Sequence, residues 1–278
     1  MRIKFWGARG SIAVSGGCFN RYGGDTACLE ITGESGETVI IDAGTGIRRL
    51  GKKLAAQDVS TYHILFTHYH WDHILGFPFF APIYKKNMAI KISGCPHSDQ
   101  SVSAMIAKTM EPPNFPVPYQ AVSASFVEKK IEPKQSFEAG GMKVESVPLS
   151  HPNGGSGYKF TENGKTFVFL TDNELGFKHP GGLGIEGYAE FCRGADLLIH
   201  DGEYRDEEYH KRGGWGHSTF GQAVELAVMA GVPKLCLFHH NQERSDSEID
   251  LIVDFCREKT QGGTFEIVAA STDLEVEV

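Results

Sequence analysis

Hydrophobic and polar positions change period along this chain, and the changes mark out its elements. Residues 2–6 alternate and predict a strand. Residues 26–32 and 37–42 read as a hairpin joined by Gly33-Glu34-Ser35-Gly36. Leu50, Leu54 and Ala55 fall at helical spacing and predict a helix over 46–57. The apolar run 62–67 predicts a buried strand, followed by a strand at 89–94 and a helix at about 99–110. Beyond a proline-rich crossing at 111–118, strands are expected at 122–128, 136–139, 142–149, 157–161 and 166–171. A helix at 185–192, one from the capping Ser218 and Thr219 to about 231, and one at 245–260 alternate with strands at 195–199, 232–238 and 264–269. The polar stretch 205–214 reads as a mobile loop. Each half is strand-rich and then helical, a pattern that by itself specifies α/β or α+β architecture and no more.

At 278 residues the chain suits one large domain or two small ones. Its 33 glycines imply tight turns and close backbone approaches rather than disorder, because apolar runs continue throughout. The formal net charge of −8 disfavours a large nucleic acid as the main partner, since such a partner usually meets a basic face. None of the six cysteines belongs to a C-x-x-C pair, and several lie in apolar runs where buried free thiols are usual. No apolar run approaches a membrane span and no leader precedes the first strand. The expected location is therefore the cytoplasm, with reduced thiols.

The densest chemistry lies in Phe66-Thr67-His68-Tyr69-His70-Trp71-Asp72-His73, at the end of a predicted strand. His68 and His70 are two apart, so in extended backbone they point the same way. Asp72 and His73 sit at the next bend and face a second point. Imidazole and carboxylate donors suit Zn²⁺, Fe or Mn²⁺, and they exceed what one closed tetrahedral site takes, so two metals are the natural reading. Asp42 and Asp172 each end a predicted strand, where sites are favoured. The glycine-rich segment from Gly7 to about Asp25 either lines a site or is a surface loop.

The motif His68-x-His70-x-Asp72-His73 resembles the defining motif of the metallo-β-lactamase-fold hydrolases, and the likeness runs through almost the whole chain. It implies an αββα four-layer sandwich forming one domain over residues 1–278. It implies that His68, His70 and His151 bind one metal and Asp72, His73 and His239 another. Asp172 would bridge the two and Asp42 would support the metal loop. His240 follows His239 directly; the choice of His239 rests on its ending the strand. Two divalent ions would trap a water and lower its pKa, giving a hydroxide nucleophile. Zinc is the expected metal, and manganese or iron would suit the same donors.

Gly216-His217-Ser218-Thr219, with Asp201 at the end of the preceding strand, resembles the His-Ser-Thr motif and paired acid of the phosphodiesterase branch. That branch includes the tRNA 3′-processing endonuclease RNase Z and small cyclic-phosphate phosphodiesterases. The resemblance implies that His217 protonates the leaving alkoxide and that Asp201 orients it, with Asp72 also at the catalytic centre. There are two departures. His200-Asp201-Gly202-Glu203 stands where RNase Z usually has His-Glu-Ala-Thr, so Asp201 is shorter and Glu203 competes for the same histidine. No long basic arm is present either. Together with the acidic net charge these departures favour a small or cyclic phosphodiester as substrate and partner, with Arg9, Arg21 or Lys159 on its phosphate. The alternatives are a lactonase-, thioesterase- or lactamase-type hydrolase, and a non-hydrolytic di-iron redox or oxygen-binding sensor. A homo-oligomer is left open.

Overall fold

The structure, a computed structural model, describes residues 1–95, 100–260 and 265–278. Six strands, β1 (Arg2–Gly7), β2 (Cys28–Thr32), β3 (Thr38–Ile41), β4 (Thr61–Phe66), β5 (Ala89–Gly94) and β6 (Ser125–Lys130), form one sheet. Seven more, β7 (Ser136–Ala139), β8 (Met142–Pro148), β9 (Ser156–Glu162), β10 (Lys165–Leu170), β11 (Leu197–Asp201), β12 (Lys234–Phe238) and β13 (Glu266–Ala269), form the other. A last strand, β14 (Glu275–Glu277), returns to the first sheet beside β1. Each sheet is antiparallel on one side and parallel on the other. The parallel ladders are β3–β4–β5–β6 and β10–β11–β12–β13.

Strand alternation sorts side chains into layers. Val39 and Ile41 on β3, and Phe167 and Phe169 on β10, bury into a cluster between the sheets. Ile40 joins Leu50 and Leu54 of α1 (Ile47–Ala55) on one outer face. The rest of that face meets the one-turn α2 (Trp71–Ile74) and α3 (Val102–Ala107). On the other outer face Val168 and Leu170 meet α4 (Ile185–Cys192), α6 (Phe220–Ala230) and α7 (Asp246–Lys259), while the one-turn α5 (Asp206–Tyr209) opens the polar stretch before α6. Each fully buried leucine or phenylalanine contributes about 1.5–3 kcal/mol relative to exposure. Thr219 and Ser245 cap α6 and α7 through reciprocal bonds with Gln222 and Glu248. The result is the αββα sandwich.

Three expectations are corrected. The stretch 205–214 is not a free loop. Glu208 closes a capping box on Arg205 and pairs with Arg244, and the segment beyond it is tied to buried Glu174. β6 starts three residues late: the Ala124 amide is drawn to the Ile83 carbonyl, and pairing with β5 begins only at Ser125, whose amide donates to Met88 O. β14 went unseen because two of its three residues are glutamates; β1 recruits it through Lys4–Glu275. The starts expected at residues 99 and 264 lie outside the described residues. No described helix is long and apolar enough to cross a membrane.

Candidate metal centre

The candidate residues other than His217, which lies between α5 and α6, sit at or beyond the C-terminal ends of strands, where an α/β sheet opens its crevice. β3 precedes Asp42, β4 runs into His68–His73, β8 precedes His151 and β10 precedes Asp172. β11 ends in Asp201 and precedes Glu203, and β12 precedes His239. Asp42, Asp172 and His239 have φ of 60°, 52° and 58°. Left-handed backbone in non-glycine residues is uncommon and collects at functional sites.

Asp42 is fully buried and fastens the β4 loop. Its Oδ1 accepts from Thr67 N at 2.8 Å, and its Oδ2 accepts from Thr67 Oγ1 and His73 Nδ1 at 2.8 Å each. His151 Nδ1 donates to Gly216 O at 2.9 Å, and His239 Nδ1 lies 3.0 Å from Glu203 Oε2. With Nδ1 held, each of these rings turns Nε2 inward. The donor atoms of His68, His70, His151 and Asp172 gather within 4.8 Å of one another, as do those of Asp72, His73, Asp172 and His239. Asp172 belongs to both groups, at 3.6 Å from His68 Nε2, 3.3 Å from His73 Nε2 and 3.4 Å from His239 Nε2. His240 turns away and gives its Nε2 to Ala270 O at 2.8 Å.

The donor set fits divalent cations. His68 Nε2 and His73 Nε2 are buried with no hydrogen-bond partner, and orphaned polar atoms of this kind are costly unless something unites them. Burial works to raise the carboxyl of Asp172, but His239, His73 and His68 overcome it and hold the group well below the usual carboxylate range. Burial pushes His151 down to about 3, so it offers a neutral ring.

His217 stacks on His239, with ring centroids 4.8 Å apart, and its Nδ1 faces three carboxylates. Glu203 Oε2 is at 3.5 Å, Asp201 Oδ2 at 3.7 Å and Asp172 Oδ2 at 3.8 Å. Burial alone would lower this imidazole; Glu203 foremost, then Asp201, outweigh it and push it up to about 9. Asp201 has a second occupation. Its two oxygens accept from the amides of Asn173 (3.0 Å) and Ser218 (2.9 Å), so it closes the loop that carries His217.

Sequence reasoning missed Glu174, which is fully buried. It accepts from His179 Nε2 (2.8 Å), Tyr209 Oη (2.6 Å), Gly214 N (2.6 Å) and Gly216 N (2.7 Å). Its one legible signal was an acid two residues beyond Asp172. The glycine-rich N-terminal loop does line the site. Ser11 N donates to Asp72 Oδ2 at 2.8 Å, and a Cβ at Gly10 would lie 2.3 Å from the His239 ring. The three cations expected on a phosphate are spent elsewhere. Arg9 is buried among the carbonyls of Gly23, Asn241 and Arg244. Arg21 pairs with Asp250, and Lys159 bonds the carbonyls of Phe191 and Arg193.

The β-lactamase superfamily domain model matches residues 37–240. A ribonuclease Z of Exiguobacterium sibiricum is 28% identical over 247 residues, 76% of this chain and 81% of the relative. The metallo-β-lactamase-fold protein YhfI of Bacillus subtilis superposes with a TM-score of 0.74 at 16% identity, covering 100% of this chain and 99% of the other. The short form of human tRNase Z does so at 0.68 and 20%, again covering 100% and 99%. The ribonuclease relative overturns the expectation of a small or cyclic phosphodiester partner drawn from net charge and from the lack of a long basic arm. A summed charge averages the whole surface, whereas a phosphate responds to charges within about a Debye length of roughly 10 Å. With a carboxylate-and-histidine centre fit for divalent metal and this kinship, the chain belongs to the β-lactamase superfamily, in its RNase Z-like branch, and is a metal-dependent phosphodiester hydrolase.

Proposed function

We propose that the chain cleaves phosphodiester bonds of RNA, with a tRNA precursor as the substrate suggested by its resemblance to RNase Z. One observation carries the reading: His217 stands against the metal-ligand cluster with carboxylates on its Nδ1 side. Two divalent ions, zinc in the first instance, would be held by His68, His70 and His151 and by Asp72, His73 and His239, with Asp172 shared. Bound there, they supply Lewis acidity towards a phosphoryl oxygen and acidify water.

The protein's own groups do the rest. Glu203 and Asp201 favour the protonated His217, which holds a proton to deliver to the departing alkoxide. Asp42 and Glu203 fix the ring planes of His73 and His239, and Glu174 fixes the carbonyl that holds His151. The same reading takes residues 1–278 as one functional unit, because β14 at the C-terminus pairs with β1 at the N-terminus.

The test pairs metal analysis with cleavage of a structured RNA bearing a 3′ extension. Wild-type protein is expected to carry about two equivalents of metal and to lose turnover on chelation. His217→Ala is expected to keep the metal and lose about 10²–10⁴-fold in kcat. A metal-loaded wild-type protein inert to RNA would defeat the proposal.

A further inference from the structure

The chain has three tryptophans. Trp6 is buried and gives its indole N–H to Glu30 at 2.9 Å. The other two are 77% and 57% exposed, and each is next in sequence to a residue of the metal centre or one bonded to it. Trp71 lies between His70 and Asp72 and, with Ser11 and Tyr69, walls an open cleft of about 470 Å³. Trp215 precedes Gly216, whose carbonyl holds His151.

Both rings stand on fixed backbone. Asp72 and His73, which follow Trp71 in α2, are buried in the ligand cluster. The amides on either side of Trp215, at Gly214 and Gly216, both end on Glu174. The Arg212 guanidinium lies 4.6 Å from the Trp215 ring centroid. Arg212 is exposed and makes no ion pair among the described residues, its guanidinium lying also 5.8 Å from the Tyr204 ring centroid, whereas Arg9 and Lys159 are held by carbonyls and Arg21 by Asp250. An exposed indole forgoes a large burial gain, and a rigid one loses little entropy when something stacks on it.

We infer that Trp71 and the Trp215–Arg212 pair are stacking platforms for unpaired nucleotides adjoining the reacting phosphate. The inference rests on the RNA reading above. Aromatic faces reach bases that are splayed out and not bases stacked inside a duplex, and every base offers a π-face to them. The Arg212 guanidinium, paired with no carboxylate among the described residues, supplies a local positive charge for the backbone on a chain that is acidic overall. The substrate recognised this way is a junction: a folded RNA with a single-stranded segment crossing the metal centre.

The experiment measures kcat and KM on a hairpin RNA with an unpaired 3′ extension, and on the same RNA with abasic residues flanking the cut. The proteins are wild type, Trp71→Ala, Trp215→Ala, Arg212→Gln, and Trp71→Phe and Trp215→Phe as aromatic rescues. Metal content and sedimentation are measured for each. Each alanine variant is expected to raise KM about five- to a hundred-fold, more than it lowers kcat, with the phenylalanine variants closer to wild type. The alanine variants should also lose the preference for intact bases over abasic ones. If wild type cuts the RNA and Trp71→Ala and Trp215→Ala leave KM unchanged, the platforms are refuted while the RNA reading stands. If wild type cuts no RNA, both fall. A changed oligomeric state with unchanged KM makes the tryptophans a contact between copies and also overturns the inference.

Discussion

His239 Nδ1 lies 3.0 Å from Glu203 Oε2, and the same oxygen is 3.5 Å from His217 Nδ1. One buried carboxylate thus serves a candidate metal ligand and the candidate proton donor together. Its other oxygen accepts from Asn241 Nδ2 at 2.9 Å, which fixes its rotamer. Glu203→Gln keeps the size and removes the charge. It is expected to weaken metal binding by about 10–100-fold, read by competition with a chromophoric chelator. Unchanged affinity would reduce Glu203 to a packing role.

Asp42 offers a cleaner measure of stability. Three donors converge on it at zero exposure. Asn tolerates its positive φ, so Asp42→Asn isolates the lost acceptor from backbone strain. The amide NH₂ would face His73 Nδ1, leaving a buried donor unpaired. Urea unfolding of the metal-free protein is expected to show a loss of about 1–3 kcal/mol. Asp42→Ala should cost more, since all three donors are then orphaned.

Two glycines hold open the space for the candidate ligand rings of His239 and His151. A Cβ at Gly10 would sit 2.3 Å from His239 Nδ1; one at Gly216, where φ is 97°, would sit 2.1 Å from His151 Nδ1. Gly10→Ala and Gly216→Ala are each expected to displace a ligand ring and lower metal affinity at least tenfold, a misplacement effect. The Gly216 variant should also lose stability, because its backbone is strained for any side chain. Isothermal titration with zinc against thermal unfolding separates the two effects.

His63 on β4 reports on pH away from the metal centre. Its Nε2 lies 2.9 Å from Ser93 Oγ, and the cations facing it are Lys91 and Lys129. Burial first, then those lysines, lower it to about 4. Between pH 6.5 and 4 the unfolded chain binds a proton that the folded one refuses. The stability is therefore full above pH 6.5 and is lost as pH falls towards 4, at no more than about 1.4 kcal/mol per pH unit. His63→Gln is expected to flatten urea-unfolding stability over that window; an unchanged slope would place the proton uptake elsewhere.

Much of this protein is written locally. Apolar runs marked strands over 37–42 and 166–171, and the spacing of His68, His70, Asp72 and His73 marked one densely functional loop; which of Val39 and Ile40, or of Phe167 and Val168, faces between the sheets was decided by packing. Local spacing encodes local geometry because strand and helix periods are fixed. Residues far apart in sequence met only through the fold. His70 reaches His151 across 81 positions, and Asp72 reaches His239 across 167.

Tertiary structure alone decided which charged groups are free. Arg9 looked like a phosphate contact and is consumed by carbonyls; Arg212 lay in a stretch read as a mobile loop and remains exposed beside Trp215. The sequence offered Asp201 as the partner of His217 with Glu203 in competition; in the fold backbone amides occupy both oxygens of Asp201 and Glu203 stands closer. A sequence fixes which side chains carry charge. Their availability depends on the burial and hydrogen-bond partners that folding assigns, and those partners come from anywhere in the chain.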